Sequence, residues 1–585
     1  MKICGREFGS VLLVDFEFGL LEGGQPEPRC AVIKDLVSGV TQRIWIEGVP
    51  VAPPPTLSRS DTLLVAFLAS AEVSCMIKLG WPVPDWTLDL FAEFRALTNG
   101  RRGGGASLAA AVSHFGGDEI DVVHKEAMRQ LALRGGDYSG EERDQLLGYC
   151  GSDVTGLEFV LRAMLPMLPD DFALLRGRYM RAIAGIELAG IPIDTEALAA
   201  LQSAWPQLRK RITAEAEEQY PGVFRDGSLS IGGFDRYLVS QGIAWPRTEA
   251  GRPKTDQDTL KDWAGVYPQL KHLKDVLYLA GQLKLNRLTV GPDGRNRYMT
   301  GAFGSTSSRN QPSATRNIFG LPSYMRGLVQ PPPGVALAYL DYEQQEFGIA
   351  AALSGDRAMR QAYRTGDPYL SFAVQAGAAP ADATKASHRE IRELYKITAL
   401  AVMFGMGEKT LALRLGRSEA AARDLLTLHR KTYRQFWRWL DRTFNQACQD
   451  RYISTVLGWR LHLTGLTKDR TVTNFPMQAN GADMLRLAVC LAQDAGVRII
   501  ALVHDAILVE VTEDQIDYAV AVAKAAMTRA SEVVLGGFAL RTEEWVVRHP
   551  GRLLTATSVP MWNRVWQLVN DINGSIPSGV IQQQR

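Results

Sequence analysis

The chain has 585 residues, too many for one core, so two to four domains are expected. Its 65 Lys plus Arg against 63 Asp plus Glu leave a formal charge of +2, so a polyanionic partner must be held by locally clustered charge. Six cysteines without CxxC or Cys/His metal spacing argue against zinc and for reduced thiols, and neither a basic-then-apolar leader nor an apolar run of about eighteen residues points to secretion or a membrane.

In chain order, the apolar run Val11 to Val14 predicts a strand that ends in Asp15-Phe16-Glu17. Residues i and i+2 of a strand point the same way, so Asp15 and Glu17 share a side and can hold one hard cation. Leu63 to Ala69 is a second apolar run, followed by Glu72 at a helix start and by Asp89 in Trp86-Thr87-Leu88-Asp89-Leu90. Tyr149 and Asp153 are four apart, hence on one helical face, where a tyrosine beside a metal can orient a water. The glycine-rich turn Asn99 to Gly105 lacks the Gly-Lys-Ser/Thr of a Walker loop and reads as surface.

This set resembles the DEDD-type 3′-to-5′ exonucleases of the tyrosine subclass. The resemblance implies an RNase H-like exonuclease domain over residues 1–165 and carries the family pattern onto Asp15, Glu17, Tyr149 and Asp153. Glu72 stands where the family has Asp. The extra methylene alters metal geometry, so an active exonuclease and a degenerate structural copy both stay open.

From Tyr179 an amphipathic helix is predicted, closed by Gly190, then an extended Ile191 to Asp194 and further helix to Tyr220. Lys261, Lys271, Lys274, Lys284 and Arg287 recur among Leu and Val, as on a helical arm offering charge to phosphates or on a solvated face. Gly304 to Pro312 is a small-residue, hydroxyl-rich stretch around Arg309, able to lie close to a partner's backbone or to serve as a plain loop.

Val335 to Leu340 predicts a strand that delivers Asp341 to an edge, and Gln344 to Leu353, with Glu346, a helix after it. In the helical stretch Arg389 to Phe404, the residues Arg392, Lys396, Leu400 and Phe404 form an i+4 stripe suited to a triphosphate and a base. Lys409 to Arg442 is the most basic segment, interleaved with Tyr433, Phe436, Trp437 and Trp439. Arg470, Asn474 and Gln478 form a polar stripe of the kind minor-groove contacts require, leading into an apolar helix from Met484 to Ala492. Finally, a hairpin with strands Arg498–Val503 and Ile507–Val511 puts Asp505 at its corner, the second carboxylate that Asp341 needs.

These motifs together resemble the family A DNA polymerases, the class of bacterial DNA polymerase I and many bacteriophage replicases, from about residue 175 to 550. The resemblance implies a mixed α/β chain whose residues 166–585 form a right-hand polymerase domain: thumb about 175–300, palm about 301–360 and 470–560, fingers about 361–469. It maps Asp341, Tyr342, Gln344 and Glu346 onto motif A, Arg392, Lys396, Phe404 and Gly405 onto motif B, and His504 and Asp505 onto motif C. Asp341 and Asp505 are then ligands of two Mg²⁺ ions, with Mn²⁺ as a substitute, and Asp15, Glu17, Glu72 and Asp153 hold a second pair. Lys396 is implied to be catalytic and, with Arg392, Leu400, Phe404, Glu346, Gln344 and His504, to bind the dNTP. Arg309, Arg470, Asn474 and Gln478 are implied to follow the DNA. Three places depart from the family: Ala506 where a glutamate is usual, Leu400 where an aromatic is usual, and a small-residue segment without the usual Thr-Gly-Arg, to whose arginine Arg309 is matched.

The expectation is template-directed DNA synthesis with 3′-to-5′ proofreading in phage genome replication. Expected partners are primer–template DNA, dNTPs and replisome proteins such as a helicase and a single-strand binding protein, in the cytoplasm and with no membrane. Two alternatives stand beside it: a repair or strand-displacing polymerase with a dead exonuclease, and a non-catalytic nucleic-acid-binding scaffold. No 5′-nuclease unit is expected ahead of Asp15, and the tail from about Asn563 carries no readable motif.

Overall fold

The computed structural model describes every residue except 47–50, 102–104, 119–121, 257–258, 261–262, 265–266, 281–287, 404 and 574–585. Phe404, Lys261, Lys284 and Arg287 therefore lie outside the described residues. The chain is mixed α/β, as expected.

The N-terminal part is built on a sheet of strands β1 (Ser10–Leu20), β2 (Pro26–Asp35), β3 (Thr41–Trp45), β4 (Thr62–Ala66) and β5 (Trp86–Asp89), in the order β3-β2-β1-β4-β5. β2 runs antiparallel to β1 and β3, while β4 pairs parallel with both β1 and β5. Helix α1 (Ala69–Lys78) makes the crossover that a parallel pair needs. β1 is buried on both faces: Leu12, Val14 and Phe16 pack with Val73, Cys75 and Met76 of α1, whereas Val11 and Leu13 pack with Leu146, Cys150 and Val154 of helix α3 (Gly140–Met164). Strand alternation then turns Asp15 and Glu17 toward α3. Helix α2 (Leu90–Thr98) follows β5, capped by Asp89.

Helix α4 (Asp170–Ala189) packs on α1 and β5 and also on α9 (Asp469–Asp494) of the C-terminal part, so one helix serves both. Its residue Gly177 lies so close to β5 that a Cβ would sit 1.8 Å from the Thr87 carbonyl oxygen. Beside it, Arg176 is forked onto Glu93 of α2 at 2.6 and 2.8 Å, with both side chains almost fully buried. Helix α5 (Thr195–Gln219) starts the next unit and supplies Leu201, Trp205 and Leu208 to its core.

The C-terminal part centres on an antiparallel sheet of β6 (Val335–Tyr342), β7 (Ile499–Val503), β8 (Ala506–Thr512) and β9 (Thr542–Arg548), ordered β7-β8-β6-β9. Ala336, Ala338 and Leu340 enter one core with Phe347 and Ile349 of helix α6 (Gln345–Ser354). Leu337 enters the other, with Leu508, Val547 and α5. The register pairs Leu337 with Val547, Tyr339 with Trp545 and Asp341 with Glu543, so this face passes from apolar core to carboxylates along its length. Helices α7 (Arg389–Met403) and α8 (Arg434–Asp450) are among the helices of the region between α6 and α9. The polar stripe and the apolar run after it are one continuous α9, which passes through Pro476 without ending.

Candidate active sites

Two carboxylate clusters stand out. In the first, Asp15 and Glu17 on β1, Glu72 in the first turn of α1, and Asp153 on α3 converge. Oxygens of Asp15, Glu17 and Asp153 lie within 4.8 Å of one another. Burial, then Glu72, Glu17 and Asp153, hold the Asp15 carboxyl well above the ordinary range, and burial followed by Asp153 pushes Glu17 up to about 8. Glu72 is raised by burial and then by Glu17, which the Phe16 backbone N–H opposes. Tyr149 hydrogen-bonds Asp153 through its hydroxyl, and Lys125 favours the charged form of Glu17 and of Asp153. Asp89 is not part of this set in role: its carboxylate takes the backbone N–H groups of Ala69 (2.7 Å) and Ala92 (3.0 Å) and ties the starts of α1 and α2.

In the second cluster, Asp341 at the end of β6 meets Asp505, which the two-residue turn His504-Asp505 carries between β7 and β8. His504 has φ 57°, a backbone that short hairpin turns use. The two aspartates are neighbours, and burial, Asp505 and Glu543 push Asp341 up to about 8. Burial also raises Asp505, while the Arg309 guanidinium opposes that. Glu346, in the first turn of α6, accepts from Arg309 at 3.1 Å and is raised by burial.

Both clusters fit divalent cations. Asp15 Oδ2, Glu72 Oε2, Asp153 Oδ1 and Asp341 Oδ1 are buried with no hydrogen-bond partner, and unscreened all-oxygen donors suit hard cations such as Mg²⁺.

Among the remaining expected residues, Arg392 and Lys396 lie on α7, where Arg392 is paired to Asp367 and sits 5.7 Å over the Tyr369 ring. Lys396 is 3.8 Å from Glu393, and Leu400 is half-buried. Gln344 takes a left-handed conformation (φ 46°) ahead of α6, with its amide oxygen held by Arg541 at 2.9 Å. Arg470, exposed, and Asn474 and Gln478, half-buried, share α9; a Cβ on Gly405, just past α7, would meet Arg470 Cβ at 3.1 Å and Asn474 Oδ1 at 3.5 Å. The ends of motif B and this stripe are thus neighbours.

Glu543 escaped the sequence reading. It is an ordinary exposed glutamate in the sequence, and only the β6–β9 register brings it beside Asp341. A search for acids in the strand after α9's hairpin would have found it.

Residues 307–542 match the sequence model of DNA polymerase family A. DNA polymerase I of Aquifex aeolicus is 26% identical over 393 residues, covering 63% of this chain and 65% of the relative. That of Mycobacterium bovis is 28% identical over 363 residues, covering 57% and 39%, and thermostable DNA polymerase I of Thermus filiformis is 25% identical over 381 residues, covering 60% and 45%. The chain thus spans less than two thirds of each relative's length. A solved structure, the POL domain of Pol1 from M. smegmatis in complex with DNA primer-template and dNTP, superposes with a TM-score of 0.73 over 92% of this chain and 94% of that one. At 19% identity that likeness is one of fold. Among the described residues no helix is long and apolar enough to cross a membrane.

Proposed function

We propose that the chain is a template-directed DNA polymerase with a 3′-to-5′ exonuclease in its N-terminal part. The observation that carries this is the meeting of Asp341 and Asp505, from distant segments, at the open end of an otherwise buried sheet, beside Glu346 and Arg309. The sheet of β6 to β9 is the palm, α7 and α8 belong to the fingers, and α5 opens the thumb.

Asp341 and Asp505 are the residues to hold two Mg²⁺ or Mn²⁺ ions, with Glu543 supplying the third negative group that Ala506 does not. Bound there, divalent ions would supply the charge that lowers the pKa of a primer 3′-hydroxyl and neutralises the leaving pyrophosphate. Lys396 and Arg392 bind the incoming triphosphate, for which Arg392 exchanges its pairing with Asp367. Glu346 blocks a ribose 2′-hydroxyl, and Arg309, Arg470, Asn474 and Gln478 hold primer and template. In the nuclease cluster Asp15, Glu17, Glu72 and Asp153 hold the cations and Tyr149 orients a water.

Primer extension on matched and mismatched 3′ ends tests both sites. Asp341→Asn is expected to lower extension by about 10³-fold or more, since a cation ligand supplies several kcal/mol of charge stabilisation. Asp15→Ala is expected to abolish removal of a mismatched end and to spare synthesis. No extension by the parent, with no further loss in Asp341→Asn, would leave a nucleic-acid-binding scaffold as the reading.

A further inference from the structure

The loop from Phe303 to Arg309, which presents Arg309 to Glu346, has an unusual backbone. Phe303 and Ser308 both sit at positive φ, 56° and 60°, in the left-handed region that residues with a Cβ seldom adopt. Such a conformation persists only where surroundings hold it.

The holding groups come from three separate places. Arg486 of α9 donates to the Ser308 carbonyl (2.8 Å) and hydroxyl (2.6 Å), and Trp459 donates its indole N–H to the Thr306 carbonyl at 3.0 Å. The third source is α2 of the N-terminal part. Arg95 donates to the carbonyls of Phe303 (3.2 Å) and Gly304 (3.1 Å), and Asn99 donates to those of Thr306 (2.7 Å) and Arg460 (2.9 Å). The Asn99 carbonyl in turn accepts the His462 N–H at 2.9 Å. Gly100 (φ 83°) permits this approach, because a Cβ there would lie 2.3 Å from the His462 carbonyl oxygen. The Asn99 side chain is buried with both amide protons used, and among the described residues the side-chain hydrogen bonds of Arg95 and Asn99 all go to the loop and to Arg460, none to the nuclease carboxylates.

We infer that Arg95 and Asn99, although they belong to the nuclease part, are positioning residues for DNA synthesis: they fix the loop Phe303–Arg309 and thereby aim Arg309 at Glu346 and Asp505. The inference rests on the polymerase reading given above. It makes the N-terminal part a structural component of the polymerase site, whether or not that part cuts DNA.

The test uses the full chain and the variants Arg95→Ala, Asn99→Ala, Arg95→Lys, Arg309→Ala and Glu346→Ala. Three quantities are measured: kcat and KM for primer–template, the ratio of deoxyribonucleotide to ribonucleotide incorporation, and degradation of single-stranded DNA. Arg95→Ala and Asn99→Ala are expected to raise KM for primer–template about tenfold, the equivalent of one charge-assisted hydrogen bond, and to shift the sugar ratio in the direction that Arg309→Ala shifts it. Single-strand degradation stays as in the parent, and Arg95→Lys recovers most of the loss. A double variant Arg95→Ala/Asn99→Ala that folds and keeps parental KM and sugar ratio, while Arg309→Ala changes them, overturns the inference alone. Unchanged sugar ratios in both Arg309→Ala and Glu346→Ala overturn the polymerase reading of this corner and the inference with it. If the double variant does not fold, the comparison of Arg95→Ala with Arg95→Lys decides.

Discussion

Asp341 and Glu17 both keep a proton up to about pH 8, and burial is the larger cause in each, followed by a neighbouring carboxylate, Asp505 for the one and Asp153 for the other. Between the ordinary carboxylate range and about pH 8, the folded chain therefore binds protons that the unfolded chain has released. More protons on the folded side means that, without cations, these groups favour folding at low pH, and this contribution is lost as pH rises through the window. On the proposed function, divalent cations take the place of the protons. The gain in melting temperature from added Mg²⁺ or Mn²⁺ is thus expected to be small near about pH 5 and to grow up to about pH 8, by calorimetry on cation-free and cation-loaded protein. An equal gain at both ends of that range would mean that the carboxylates do not exchange protons for cations. Asp15, Glu17, Asp341 and Asp505 were legible in the sequence because a carboxylate ending an apolar run, or turning a hairpin corner, is a local pattern. Glu543 was not legible, because its place beside Asp341 is a matter of strand register across two hundred residues of chain.

Elements were legible where their periodicity is strong, and their mutual approach was not. The predicted helix from Tyr179 to Gly190 is the second half of α4, but nothing in its pattern says that Gly177 touches the Thr87 carbonyl. A glycine inside a helix weakens it by about 1 kcal/mol relative to alanine, so Ala at 177 would ordinarily stabilise. Here the contact decides otherwise. A Cβ 1.8 Å from a backbone oxygen forces α4 and β5 apart, and neither can rotate the clash away. Gly177→Ala is expected to destabilise by about 3 kcal/mol, at the upper end for overpacking, in urea unfolding followed by circular dichroism. Gly185→Ala on the same helix, where a Cβ meets nothing within 4 Å, serves as the control and should be neutral or stabilising. α9 makes a related point: the polar stripe leading into an apolar helix is one helix that continues through Pro476, where Val472, Phe475 and Met477 are buried around the proline and packing holds the turn despite its missing N–H.

On the scale of the molecule, the proposed function has to reconcile a formal charge of +2 with a polyanionic substrate. The answer is local: Arg434, Arg438 and Arg442 lie exposed along α8 and Arg470 is exposed at the start of α9. Affinity for primer–template should fall steeply with salt, and Arg470→Ala should lower the log–log slope by about 1 if it meets a phosphate. An unchanged slope would place Arg470 away from the backbone of the DNA. The two parts of the chain are held to each other by Arg176 and Glu93, whose side chains are 5% and 2% exposed. Removing one partner of such a pair strands a buried charge and costs about 3–5 kcal/mol, whereas replacing both with apolar groups of similar volume is often neutral. Arg176→Met is therefore expected to lower the melting temperature and, because α4 packs on both parts, to shorten the thermal half-lives of synthesis and 3′-end removal together. Glu93→Leu combined with Arg176→Met should recover most of that loss. If the single variant instead cost only nuclease activity, α4 would belong to the nuclease alone, and the junction would be a flexible linkage instead of the shared strut that its packing describes.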